Sequence, residues 1–259
     1  MTDLSKIAAS RRGFLALAAG SAALAAGSGM APAQTVRTGA RIVILGAGAG
    51  GAAIANRLSE RLSGASITIV DGRAEHYYQP GFTLVATGLK PARYATSSTG
   101  EWLPRGINWV REYAAEIDPE ANRVTTTGGQ RLDYDFLIVA TGLTLDWDAI
   151  EGFSLDLVGA QHGISAHYAS PEHAARSWQA LDAFTSRGGI GMFGRPATEM
   201  KCAGAPVKLC LLAEDIATTK GNRDRCQFVY NAQAPNLFGV PVIHHRVRQI
   251  MDERDISYR

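Results

Sequence analysis

Arg41-Ile42-Val43-Ile44-Leu45-Gly46-Ala47-Gly48-Ala49-Gly50-Gly51 is an apolar run delivered straight into a glycine-rich turn. The run suits a parallel strand buried on both faces, and Gly46, Gly48 and Gly51 then satisfy G-x-G-x-x-G. Ala52 to Leu62 has the alanine-rich look of a packed helix, and Ser66 to Asp71 reads as a second strand. Strand, glycine turn, helix and strand make one βαβ unit, which predicts an α/β fold around an open parallel sheet. The three glycines do different things. Gly46 permits the tight turn, Gly48 lets backbone approach a pyrophosphate, and Gly51 lets the helix press on the strand. Asp71 follows Gly51 by 20 residues, where a carboxylate can accept a hydrogen bond from a ribose hydroxyl. A glycine turn of some unrelated α/β domain would leave Asp71 without a purpose, so a bound dinucleotide is expected.

Outward from this unit, Tyr77 to Tyr94 is rich in aromatic residues, glycine and proline and reads as a structured loop with one helical turn. Trp109 to Ile117 and Arg123 to Thr127 read as antiparallel strands, and Tyr134 to Ala140 as a buried strand that returns to the first sheet and ends at Thr141-Gly142. A second α/β unit follows: helix from Pro171 to Phe184, strand from Gly189 to Gly194, helix from Ala203 to Thr219, strand from Cys226 to Tyr230, and helix from Val242 to Glu253. A further strand starts at Ile256, so the second sheet is expected to be incomplete, and the chain either truncated or completed by a partner.

Composition bounds the function. With 46% hydrophobic and 19% charged residues in 259, the chain has material for one or two cores. A formal charge of +2 and no basic run beyond His244-His245-Arg246-Val247-Arg248, itself read as one polar helical face, exclude nucleic acid as an expected partner.

The N-terminus reads as an address. Ser10-Arg11-Arg12-Gly13-Phe14-Leu15 places twin arginines before an apolar stretch to Ala26, and Ala31-Pro32-Ala33 supplies a small-x-small cleavage pattern. The stretch is shorter than the roughly 20 residues a membrane span needs, and glycine and serine dilute it. It resembles a bacterial twin-arginine export signal, which implies a periplasmic protein that acquires its cofactor before export. Removal of residues 1–33 takes away Asp3, Lys6, Arg11 and Arg12 and leaves a formally neutral chain.

Three cysteines, Cys202, Cys210 and Cys226, stand at spacings of 8 and 16, which fit no zinc pattern, so no metal site is expected. Cys210 lies in the apolar Leu209-Cys210-Leu211-Leu212 of a helix and reads as a small buried hydrophobe, and Cys226 reads as structural. Cys202 differs. It follows Lys201 and precedes a helix start at about Pro206, and a cation and a helix dipole both favour thiolate. On those residues alone an ordinary loop cysteine stays open.

Two further stretches narrow the choice. Asp133 to Gly142, ending in Ala140-Thr141-Gly142, resembles the Ala-Thr-Gly motif of two-dinucleotide-binding flavoproteins and implies FAD in the first site. Met200-Lys201-Cys202-Ala203-Gly204-Ala205-Pro206-Val207-Lys208 resembles the hallmark of sulfide:quinone oxidoreductases, in particular the group with the mitochondrial enzyme. Glu75-His76-Tyr77-Tyr78-Gln79-Pro80 with Thr83-Leu84-Val85 is similar to a second segment of that family. A second glycine fingerprint for a nicotinamide cofactor is absent after Gly189–Gly194, where cysteine and proline stand instead.

The resemblance implies a signal peptide over 1–33, an FAD-binding domain over 34–150, and an incomplete second domain over 151–259 that carries the redox cysteine. It implies that FAD-linked oxidation of sulfide to sulfane sulfur proceeds through Cys202 and a second cysteine outside this chain, with electrons passed to quinone. In the family the C-terminal region shapes the quinone pocket and touches the membrane, so peripheral membrane association is implied as well. Two other readings stand beside it: a flavin subunit like that of flavocytochrome c sulfide dehydrogenase, which passes electrons to cytochrome c, and a truncated FAD-binding module without turnover. The six histidines suggest core or surface roles rather than catalysis.

Overall fold

The computed structural model describes residues 35–196, 200, 202, 204–233 and 235–259. The twin-arginine segment, Lys201 and Ala203 lie outside the described residues. The first unit is built on β1 (Arg41–Leu45), α1 (Ala49–Arg61) and β2 (Ser66–Val70). Ile42 to Leu45 are all buried, as a strand with packed layers on both faces requires. Helix α1 turns Gly51, Ala52 and Ala55 to the sheet. Small residues on that face bring the helix axis close.

The sheet is completed by β3 (Asn108–Val110) and by β7 (Phe136–Val139), in the parallel order β7-β1-β2-β3. Between them the chain makes a three-stranded antiparallel excursion, β4 (Ala114–Asp118), β5 (Arg123–Thr126) and β6 (Arg131–Asp133), in the order β6-β5-β4. The expected single strand from Trp109 to Ile117 is therefore two strands in two sheets, because Arg111, Glu112 and Tyr113 pair with neither. The expectation of a fully buried strand at Tyr134–Ala140 also needs correction. Among the described residues strand β7 has β1 as its one neighbour, and Val139 is 61% exposed on that edge.

The second unit runs α2 (Phe82–Val85), supplied by the segment after β2, then α3 (Pro171–Arg187), β8 (Gly189–Gly194), α4 (Gly204–Thr219), β9 (Cys226–Asn231), α5 (Pro241–Glu253) and β10 (Ile256–Tyr258). Its strands are parallel in the order β8-β9-β10. Phe228 and Tyr230 from β9 pack with Cys210, Ala213 and Ala217 from α4 and with Met251 from α5. Phe82, Val85, Ala86 and Ala95 belong to the same core, so the segment after β2 stitches the two units together. Among the described residues no helix is long and apolar enough to cross a membrane.

Candidate functional site

The turn from β1 into α1 is the tightest place in the molecule. Gly46 has φ +96°, and a Cβ there would stand 2.5 Å from the Ala140 carbonyl oxygen. A Cβ on Gly51 would stand 1.8 Å from the Gly46 carbonyl oxygen. Gly48 is different: the nearest atom to a Cβ there would be Arg73 Nη2 at 3.8 Å, so its surface is open. Gly48 is also the N-cap of α1, with no side-chain cap and no acid in the first turn. A helix start left bare in this way presents N–H groups and a positive dipole end to an anion.

Strand β7 brings the other predicted residues to this turn. The Arg41 guanidinium and N–H both donate to Asp135, at 2.9 and 2.7 Å, which sets the β7 register beside β1. Ala140 N–H then donates to Leu45 O at 2.8 Å, and Thr141 Cα lies 3.1 Å from where a Gly46 Cβ would be. Thr141 and Gly142 are exposed at the mouth. Gly46, Gly48 and Gly51 thus share one turn, and Thr141 follows the end of β7 beside Gly46, with Gly142 next to it in the chain.

Asp71 lies just past β2 and is buried. Its carboxylate accepts from Ala47 N–H at 2.7 Å, from Arg73 N–H at 2.9 Å, and from Arg73 Nε and Nη2 at 3.2 and 2.9 Å. Burial works against the charged form, but the hydrogen bonds from Arg73 and Ala47 outweigh it and hold the carboxyl below its ordinary value. No motif in the sequence marks Arg73. Its one sign there is its place two residues beyond the acid.

Cys202 is exposed, and its carbonyl accepts the Ala205 N–H at 2.9 Å at the head of α4. The helix starts at Gly204 rather than at about Pro206, so Pro206 sits inside the first turn, where its missing N–H costs nothing. Cys202 acts electrostatically on Tyr168: burial pushes that phenol up, the Thr83 hydroxyl opposes the rise, and Cys202 adds to it. Tyr168 packs on Phe82, with ring centroids 6.0 Å apart, and on His167 at 4.7 Å. Sulfur, phenol and the Thr83-Leu84-Val85 segment therefore share one neighbourhood. His167 keeps its Nε2 buried without a hydrogen-bond partner, and burial first and the Lys208 charge second lower it to about 4. Neither Tyr168 nor His167 carries a sequence pattern that marks it.

The other two cysteines are buried. Burial pushes the Cys210 thiol up to about 12, and the Cys226 thiol is raised for the same reason while its Sγ donates to Phe184 O at 3.7 Å. Among the described residues no group of three or more His, Cys, Asp or Glu could hold a metal ion.

The family described as pyridine nucleotide-disulphide oxidoreductase matches residues 40–177. The chain is 32% identical over 227 residues to the mitochondrial sulfide:quinone oxidoreductase of Mus musculus, covering 86% of this chain and 48% of that protein. It is 31% identical over 218 residues to the Dictyostelium discoideum protein of the same name, covering 84% and 47%. Among solved structures, the sulfide:quinone oxidoreductase of Aquifex aeolicus superposes with a TM-score of 0.68 at 24% identity, over 85% of this chain and 50% of that one. The chain spans about half the length of the curated relatives it matches.

Proposed function

Because this chain belongs to the pyridine nucleotide-disulphide oxidoreductase family, we propose that it is the FAD-binding and sulfur-handling part of a sulfide:quinone oxidoreductase. The observation that carries the reading is an exposed Cys202 at the head of α4, in a chain whose first unit has the tight glycine turn of a dinucleotide site. Relatives named for sulfide and quinone support the substrate pair.

The cradle fits the cofactor. Gly46 and Gly51 leave no room for side chains, whereas Gly48 leaves its backbone open for a pyrophosphate at the bare start of α1. Thr141 follows the end of β7 beside Gly46, and Asp71 holds the turn through the Ala47 N–H. FAD supplies a two-electron acceptor there. Cys202 is exposed, and once paired in a disulfide with a second cysteine it can be attacked by sulfide: the S–S bond breaks, a new S–S bond leaves Cys202 as the persulfide, and the second cysteine departs as thiolate. FAD, held at the glycine turn, would accept the electron pair that re-forms the disulfide as the sulfane sulfur leaves, and quinone would take that pair from it. The exchange needs a second cysteine, and from their buried positions Cys210 and Cys226 do not serve. The twin-arginine N-terminus supports export to the periplasm, with peripheral binding at the membrane that holds the quinone.

Anaerobic titration of the FAD-loaded protein with sulfide tests this reading. Bleaching of the flavin absorbance is expected, and Cys202→Ala should keep FAD but lose the bleaching. A spectrum that ignores sulfide in the wild type would mark an FAD-binding module without turnover. The export signal also suits a flavin subunit that passes electrons to cytochrome c. Faster reduction of cytochrome c than of a soluble quinone would select that alternative.

A further inference from the structure

The end of the first sheet remote from the glycine turn holds a second polar site. Strands β1 and β2 pair with Arg41 opposite Ser66 and Val43 opposite Thr68, so alternation puts these four residues on one face. Leu132 of β6 packs in the same core as Val43, which lays the antiparallel excursion over that face. Between sheet and excursion lies a pocket of about 210 Å³, lined by Arg41, Ser66, Thr68, Arg131 and Asp133.

The lining is rich in donors and poor in acceptors. Arg41 spends Nε and Nη2 on Asp135, at 3.3 and 2.9 Å, while its Nη1 stands 3.8 Å from Asp133 Oδ2, beyond hydrogen-bond reach. The Arg131 guanidinium has no hydrogen bond or ion pair among the described residues. Asn108 Nδ2 donates to Thr68 Oγ1 at 3.3 Å, which leaves the proton of that buried hydroxyl to be given. Ser66 adds a second hydroxyl. Asp133 is the one acid in the lining, and its Oδ1 already accepts from Arg123 Nε at 2.7 Å. Two guanidiniums against one carboxylate leave the pocket positive.

We propose that this pocket binds a small tetrahedral oxyanion of the phosphate or sulfate type, gripped by Arg131 and Arg41 Nη1, with the Ser66 and Thr68 hydroxyls donating from the sheet. Guanidinium forks match such oxygens, and the volume lies below the roughly 300 Å³ at which pockets for larger organic ligands begin. A bound anion fastens β6 to β1 and β2, so occupancy is read as stability.

Melting of the full chain saturated with FAD tests the assignment, because the glycine turn is then filled. Phosphate, sulfate and thiosulfate are separate arms, each balanced with sodium chloride to constant ionic strength. These anions also stabilise proteins by exclusion from the surface, but that effect does not saturate and does not depend on one arginine. In at least one arm a saturating rise of about 3 °C or more is expected at ten times the dissociation constant, and the arm that saturates at the lowest concentration names the source. Arg131→Gln should melt like the wild type without the anion, since its guanidinium holds nothing in the protein, yet lose the saturating rise. Ser66→Ala should raise the half-saturating concentration roughly fivefold. Arg187→Gln removes an exposed charge at the end of α3 and should leave the rise unchanged. A response that stays linear in all three arms overturns the assignment, as does a saturating rise that survives Arg131→Gln. Equal loss in Arg187→Gln overturns it too, because net charge would then account for the effect.

Discussion

Gly51 stands so close to Gly46 that a methyl group on the first would sit 1.8 Å from the carbonyl oxygen of the second. The contact is backbone against side-chain space, so no rotamer change relieves it. Gly51→Ala must push α1 away from β1, and overpacking at such a site costs on the order of 3 kcal/mol. A urea midpoint equal to that of the wild type would refute the argument. Gly48→Ala, which meets nothing closer than 3.8 Å, is the matched control and should lose little stability.

The three thiols should separate by reactivity. Cys202 is exposed, while Cys210 is buried with its thiol pushed up to about 12 and Cys226 is buried with its thiol raised. Thiolate is the reacting form, so iodoacetamide at neutral pH should label Cys202 first and leave the other two until the chain is unfolded. Peptide mass mapping after a short exposure reads this directly. Labelling of Cys210 in the native protein would contradict its place in the core.

The same contrast divides what the sequence spells out from what folding decides. Gly46 and Gly51 are legible because a glycine fingerprint encodes a positive-φ turn and the close approach of residues five apart, and Cys210 because a helix period encodes its face. Other features depend on partners far along the chain. Val139 reads as part of a buried strand, since an apolar run does not say how many neighbours the strand will have. Trp109 and Ile117 read as continuous because pairing, not composition, divides Asn108–Val110 from Ala114–Asp118. The packing of Phe82 and Tyr168 into the core of α4 and β9 requires two units to meet. The capture of Asp71 by Arg73 is a side-chain choice between close neighbours, to which patterns of hydrophobicity are blind.

Glu214 is a buried acid on α4 that accepts from Arg223 Nε at 3.2 Å, Arg254 Nη1 at 2.8 Å and Thr218 Oγ1 at 3.0 Å. It ties α4 to the entrance of β9 and the end of α5. Glu214→Ala takes the carboxylate from the largely buried Arg223, which keeps the Cys226, Arg254 and Asp255 carbonyls, and breaking a buried pair from one side costs up to about 3 kcal/mol. Glu214→Gln keeps the acceptor oxygen and should lose less. Chemical denaturation of both variants measures the difference, and equal loss in the two would show that charge, not hydrogen bonding, holds the junction.

His167 should set a pH dependence of stability that no surface histidine can imitate. Its folded value is lowered to about 4, by burial first and by the Lys208 charge second, whereas the unfolded chain titrates near the ordinary value of about 6.5. Between those limits the unfolded chain takes up a proton that the folded chain refuses. Stability from this group is therefore complete above about pH 6.5, declines as the pH falls through the window, and is gone below about pH 4. At about 1.4 kcal/mol per unit the whole window is worth at most about 3.5 kcal/mol. Carboxylates titrate in its lower part as well, so the difference between wild type and His167→Asn isolates the histidine. Urea midpoints from pH 7.5 down to 4.5 should fall more steeply for the wild type than for the variant. Parallel profiles would show that the imidazole takes up its proton as readily in the folded chain as in the unfolded one.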